Sequence, residues 1–225
     1  ATHYASTCSA CPAGCGQLIA VRDGRPVKLE GLPAHPVSRG GLCAIGQAEL
    51  RALYEPQRPK APMVGGAVVT WEALDKRVAE GLAAAKRAGK VVAVLSPTLV
   101  SPTARAVVEA FLRPRSGVLV EFDADANPAS ATVEAWRQVA GRPVLPALSI
   151  HRADLLVTLG GDLLATGYEP VAHTRQYADR KRAASVQGAF RHVHVGATLS
   201  LTGAGADERL QVGAAEQRAI SMWLL

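Results

Sequence analysis

Apolar and polar residues alternate along Gln17–Glu30, and the alternation breaks at Asp23-Gly24, a pair suited to the positive-φ corners of a two-residue turn. The pattern predicts a β-hairpin over residues 17–30. A loop rich in Gly, Pro and His follows from Gly31 to Gly41, and Gln47–Tyr54 reads as a short helix. Glu-Pro-Gln-Arg-Pro-Lys-Ala-Pro, residues 55–62, reads as an extended linker, which places a domain boundary between residues 1–60 and 61–225.

Beyond the linker the hydrophobic period changes. Thr70 can cap a helix over Trp71–Ala88, where Trp71, Leu74, Val78, Leu82 and Ala85 share a face, and Gly89 ends it. Val91–Ser96 is expected as a buried strand, Thr103–Leu112 as a helix, Val118–Phe122 as a strand and Ala129–Ala140 as a helix. Asp154–Leu159 and His192–Val195 read as further strands, with a helix near Tyr168–Ala183 between them. The fold class expected is α/β: a small β-rich cysteine domain, then a doubly wound, mostly parallel sheet with helices on its faces. Ligands of such sheets sit beyond the carboxyl ends of strands, here Ser96-Pro97-Thr98, Asp123 and Gly160-Gly161-Asp162. None of these is a phosphate cradle. Pro97 stands where a glycine would let backbone approach a ligand, Asp162 would repel a pyrophosphate, and neither GxGxxG nor a Walker A sequence occurs.

Composition narrows the classes of function. With 48% apolar residues and a net charge of +6, disorder is excluded. No apolar run reaches the roughly 18 residues of a membrane span. The basic balance suits an anionic partner, but ten aromatics in 225 residues are few for stacking on single-stranded nucleic acid, and no nucleic-acid role is expected. Arg175, Arg180, Lys181, Arg182 and Arg191, the densest basic stretch, read as a solvated helix face. At the far end, a helix over Ala215–Leu225 finishes on Met222-Trp223-Leu224-Leu225 without a cap, which is expected of a helix packed on a partner or of a piece of something longer.

All four cysteines, Cys8, Cys11, Cys15 and Cys43, lie in the first 43 residues. Three close thiols and one distant one converge only if the first three wrap a common point, and Gly14 and Gly16 allow that loop to turn. A [4Fe–4S] cube takes four thiolates about one centre, and a tight triple with a remote fourth supplies them. Structural zinc, which usually takes two Cys-x2-Cys pairs, and disulfides remain as alternatives. Among histidines, His3 and His35 lie near the cysteine region. His192 and His194 alternate on one strand and so share a face, a zinc pair without a third ligand, while His151 and His173 stand alone.

Tyr4-Ala-Ser-Thr-Cys-Ser-Ala-Cys-Pro-Ala-Gly-Cys-Gly16 with Gly40-Gly41-Leu42-Cys43 resembles the amino-terminal cluster domain of the molybdopterin oxidoreductase superfamily, which includes formate dehydrogenases and periplasmic nitrate reductases. The resemblance implies a [4Fe–4S] cluster on Cys8, Cys11, Cys15 and Cys43. Leu53-Tyr54-Glu-Pro-Gln-Arg-Pro, Trp71-Glu-Ala-Leu and Ala153–Asp162 fit the same superfamily. Asp162–Pro170, Arg175-Gln-Tyr-Ala and Leu199–Glu208 resemble one branch of it, the iron–sulfur, molybdopterin-like large subunit of alternative complex III, a membrane-bound quinol oxidase. That branch implies partners: cytochrome c subunits, a ferredoxin-like iron–sulfur domain and a quinol-binding membrane subunit. It also implies an exported chain, held peripherally on the periplasmic side. The opening Ala-Thr-His, with neither initiator Met nor apolar leader, fits a removed signal peptide or a trimmed chain.

Departures from the superfamily pattern sharpen the expectation. Catalytic members place Lys or Arg two residues after the fourth cysteine, where Ile45 stands here, and no cysteine follows residue 43 to ligate molybdenum. The expectation is an electron-transfer or scaffold subunit of a quinol-oxidising membrane complex, with a cluster and without its own molybdopterin. The alternatives are the amino-terminal fragment or small subunit of a catalytic molybdenum or tungsten oxidoreductase, and a cofactor-free structural module.

Overall fold

Three antiparallel strands open the chain: β1 (Thr2–Thr7), β2 (Gly16–Arg22) and β3 (Arg25–Gly31), in the order β1-β2-β3. The computed structural model describes residues 1–99, 101–122, 129–187 and 190–224. The β2–β3 hairpin turns at Asp23-Gly24, with φ of 50° and 75°, as the sequence pattern requires. β1 runs from Thr2 opposite Val21 to Thr7 opposite Gly16, so the loop of residues 8–15 is the β1–β2 connection. The first and third cysteines therefore stand at the two feet of one hairpin. α1 (Ala44–Ala48) begins immediately after Cys43.

Contacts divide the chain into two units, Ala1–Ala48 with Ala124–Leu225, and Glu49–Asp123. The second unit holds α2 (Leu50–Tyr54), a small ribbon of β4 (Met63–Val64) and β5 (Ala67–Val68), α3 (Trp71–Arg87), β6 (Ala93–Ser96), α4 (Pro102–Leu112) and β7 (Val118–Glu121). Two short helices thus replace the single one expected over 47–54. Thr70 caps α3, its Oγ1 accepting from Ala73 N at 3.2 Å, and Ser101 caps α4 in the same way. β6 and β7 pair in parallel, joined through α4.

Val91–Ser96 is not the buried strand expected. Val91 is 67% and Leu95 73% exposed, and Leu95 lies opposite the half-exposed Val120. The helix side of this two-stranded sheet is covered, with Leu112 of α4 buried beside Gly117. The other side has no covering element among the described residues of the unit, so Ala93 and Leu95 of this largely apolar strand stay exposed.

The remainder of the first unit contains α5 (Ala129–Ala140), β8 (Leu155–Leu159), α6 (Pro170–Gln187), β9 (Arg191–Gly196), α7 (Leu201–Gly205), β10 (Glu208–Gln211) and α8 (Ala214–Trp223). β8, β9 and β10 form a parallel sheet in the order β10-β9-β8. Helices and strands alternate as in an α/β protein, but the described strands make several small sheets rather than one wide one. The apolar core is correspondingly modest: Ile150, Leu164 and Tyr177 are buried together, with Leu156, Leu163 and Phe190 packed against them.

Candidate metal centre

Hairpin geometry gathers the thiols. Cys8 N donates to the Cys15 carbonyl at 2.8 Å, which closes the loop carrying Cys11 at its tip. Cys8 and Cys15 are buried, Cys43 is half-buried and Cys11 is exposed. Gly46 closes the site from the first turn after Cys43. Its N–H points at Cys43 Sγ at 3.5 Å, and a Cβ in its place would stand 3.2 Å from Cys8 Sγ. A glycine here lets backbone approach two of the four sulfurs, and N–H groups aimed at sulfur stabilise the extra charge of a thiolate-bound centre.

Electrostatics report the same convergence. Burial, reinforced by Cys11, Cys8 and Cys43, pushes the Cys15 thiol up to about 11. Sulfurs near one another, two of them buried, disfavour bare thiolates. Cationic iron would remove that penalty, because metal binding trades a proton for a positive centre. The four side chains fit a [4Fe–4S] cluster in donor type and in neighbourhood. Among the described residues, no three His, Cys, Asp or Glu side chains are gathered for a single metal ion.

The strand-end positions named from the sequence have other occupations. Gly160, at φ 70°, lies so close to the Gln217 side chain of α8 that a Cβ on it would stand 2.3 Å from that amide. Asp162 Oδ1 accepts from Thr202 N at 3.0 Å and from Thr202 Oγ1 at 2.7 Å, so this carboxylate holds the first turn of α7. Beyond β6, Ser96 Oγ donates to the Pro97 carbonyl, while Glu121 accepts from Leu99 N and Arg105. Asp123 lies outside the described residues.

A buried polar network occupies the β8–β9 face. Thr158 Oγ1 lies 3.0 Å from His192 Nε2 and 2.8 Å from His194 Nδ1, and both imidazoles are buried. His192 Nδ1 lies 3.0 Å from Tyr177 Oη, which donates to the Gly205 carbonyl. With that proton committed, His192 Nδ1–H must donate to Tyr177, so its Nε2 accepts from Thr158, and Thr158 in turn accepts from His194 Nδ1–H. The two histidines do share a face, as their alternation requires. The third group is a hydroxyl, and the chain of bonds has one direction. Burial pulls His192 down to about 4, helped by His194 and Lys181 and opposed by Asp207. Sequence reasoning missed this network, since Thr158 carries no signal until the register pairs it with His194. His151 lies 3.0 Å from Gln176, and His173 is buried edge-on to Tyr168.

The basic stretch is paired with acids, four of its residues on α6 and Arg191 at the start of β9 rather than on the helix. Arg180 bonds Asp154 at 2.7 Å, Lys181 bonds Asp207, Arg191 bonds Glu208, and Arg175 and Arg182 flank Asp179 at 3.8 and 3.4 Å. His3 is exposed on β1, and His35 packs against Gly16.

Residues 1–55 match the family model of the molybdopterin oxidoreductase Fe4S4 domain. The matched segment holds all four cysteines. Over its whole length the chain is 30% identical to the menaquinone reductase, molybdopterin-binding-like subunit, of Nitratidesulfovibrio vulgaris, of which it covers 32%. It is 34% identical over 58 residues to a sulfite dehydrogenase subunit of Allochromatium vinosum, covering 26% of this chain and 6% of that protein. To the formate dehydrogenase alpha subunit of Megalodesulfovibrio gigas it is 32% identical over 65 residues, 28% of this chain and 6% of that one. The chain thus spans about a third of its menaquinone reductase relative, and much less of the two dehydrogenase subunits. No described helix is long and apolar enough to cross a membrane.

Proposed function

We propose that this chain is the cluster-bearing, electron-transferring part of a peripheral subunit in a membrane-bound, quinone-linked complex of the alternative complex III kind, exported and without its own molybdopterin. The observation that carries the reading is the thiol set: Cys8, Cys11 and Cys43 all lie within electrostatic reach of Cys15, in a segment that matches the Fe4S4 domain model. A [4Fe–4S] centre supplies single-electron exchange when bound. The chain's own residues do the rest. Cys8 and Cys15 keep one side of the site out of water, Gly46 N–H offers Cys43 a hydrogen bond, and Cys11 stands at the solvent side.

The quinone link is supported by similarity along the whole chain to a subunit of menaquinone reductase that is itself named molybdopterin-binding-like. Similarity to the sulfite and formate dehydrogenase subunits extends over about a quarter of the chain. Two local features disfavour a pterin. Ile45, 70% exposed, replaces a cation after the fourth cysteine, and the Gln217 side chain fills the approach to Gly160.

Metal content of anaerobically isolated protein, made in cells competent for molybdenum cofactor synthesis, tests the proposal. About four irons and four acid-labile sulfides per chain without molybdenum are expected. Stoichiometric molybdenum would replace it with the catalytic reading. Iron-free, colourless protein would leave a scaffold.

A further inference from the structure

The Gly31–Gly41 loop is folded back onto the residue after Cys15. Gly16 is tied to it through both backbone groups: its carbonyl accepts from Leu32 N at 2.9 Å, and its N–H donates to Ser38 Oγ at 3.2 Å. Ser38 is 1% exposed and faces His35 Nδ1 twice, through its N–H at 3.1 Å and its Oγ at 3.0 Å. An N–H can only donate, so Nδ1 is the acceptor for this pair. Bonds then run in one direction, from Gly16 N–H to the Ser38 hydroxyl to His35 Nδ1. The His35 side chain packs on the open Cα of Gly16, where a Cβ would stand 2.6–2.9 Å from its Cβ and two ring carbons. Gly40 N returns to the Leu32 carbonyl at 3.0 Å and Gly41 N to the Ser38 carbonyl at 2.7 Å, and Cys43 follows two residues later.

We propose that His35 and Ser38 are positioning residues, a clasp that holds the Cys43-bearing loop against the strand end beside Cys15 and so presents the fourth thiol to the other three. Twenty-seven residues separate Cys15 from Cys43, a loop whose closure costs entropy that cluster binding would otherwise have to supply. The clasp meets part of that cost before any metal arrives. The inference rests on the reading of the four cysteines as cluster ligands, but the closeness of Cys15 and Cys43 that it demands is a property of the iron-free chain too.

The test compares Ser38→Ala, His35→Gln and His35→Asn with the unaltered chain, each checked for folding by circular dichroism. Asn can place its Oδ1 acceptor near the Nδ1 position, whereas Gln carries its polar group further out. After anaerobic reconstitution with iron and sulfide, Ser38→Ala and His35→Gln are expected to lose iron to a chelator about 10-fold faster than the unaltered chain, and His35→Asn within about twofold of it. In iron-free protein with Cys8 and Cys11 changed to Ser, a short bifunctional thiol reagent should bridge Cys15 and Cys43, and the bridge yield should fall in the first two variants alone. Equal iron retention and equal bridging across folded variants would overturn the clasp. Should Ser38→Ala not fold, the Asn and Gln pair at position 35 decides. If the unaltered chain binds no iron, the cluster reading fails while the bridging yields still judge the clasp.

Discussion

Thr158 has one hydroxyl and two imidazole partners, all buried, which makes it the residue on which the β8–β9 face depends for polar satisfaction. Thr158→Val keeps the shape and removes the hydroxyl, leaving His192 Nε2 and His194 Nδ1 without their partner. A buried polar group stripped of its bond costs about 1–3 kcal/mol, so the variant should be destabilised by that order in urea unfolding. An unchanged midpoint would mean that the network contributes nothing net. The cysteines make a second residue-scale statement. In the iron-free chain, Cys11 is exposed while Cys15 is buried with its pKa raised to about 11, so alkylation should modify Cys11 first and Cys15 last. Mass spectrometry of a timed reaction reads that order directly. Of this residue-scale chemistry, the cysteine set was legible because its spacing is local. The clasp and the histidine network were not, because Ser38 meets Gly16 across 22 residues and Thr158 meets His194 across 36. A serine or threonine becomes distinctive only once the fold says what faces it.

At the scale of elements, the local signals are realised. Thr70 caps its helix, Ala129–Ala140 forms as the pattern predicts, and the hairpin turns at Asp23-Gly24. Pairing was less legible. Nothing in Thr2–Thr7 announces a strand until β2 offers it an edge, and the apolar run at Val91–Ser96 predicted burial that its two-stranded sheet does not provide. The parallel β8–β9–β10 sheet carries a pH prediction. His192 falls from an ordinary value of 6.5 to about 4 in the folded chain because burial disfavours its charged form. The unfolded chain therefore binds the proton more readily between those values. The sign follows: the contribution of neutral His192 is fully present above about pH 6.5 and is lost progressively as pH falls towards 4. Urea midpoints should drop across that window, and His192→Asn should flatten the drop. A midpoint independent of pH from 7 to 4 would contradict the buried neutral imidazole. Gly160→Ala belongs to the same scale. At φ 70° and against Gln217, a methyl there must displace the α8 side chain, so the variant should lower the thermal midpoint, with Gln217→Ala relieving part of the loss.

For the whole molecule, charge and apolar surface point in different directions. The net charge of +6 does not collect into a free basic patch at the stretch where the sequence is densest in Arg and Lys, since each of those five side chains has an acidic partner. The apolar surface is less settled, with Leu95, Val139 and Trp223 each more than two-thirds exposed. This fits a chain spanning 32% of its menaquinone reductase relative and held among other polypeptide, as the proposed membership of a complex requires. Whether the four cysteines hold one cluster is read most directly by EPR of anaerobically isolated, dithionite-reduced protein beside its Cys43→Ser variant. A single reduced-cluster signal is expected in the unaltered protein, lost or converted to a lower-nuclearity form in the variant, with the fold retained. The same spectrum in both, or no signal from iron-replete reduced protein, would contradict it.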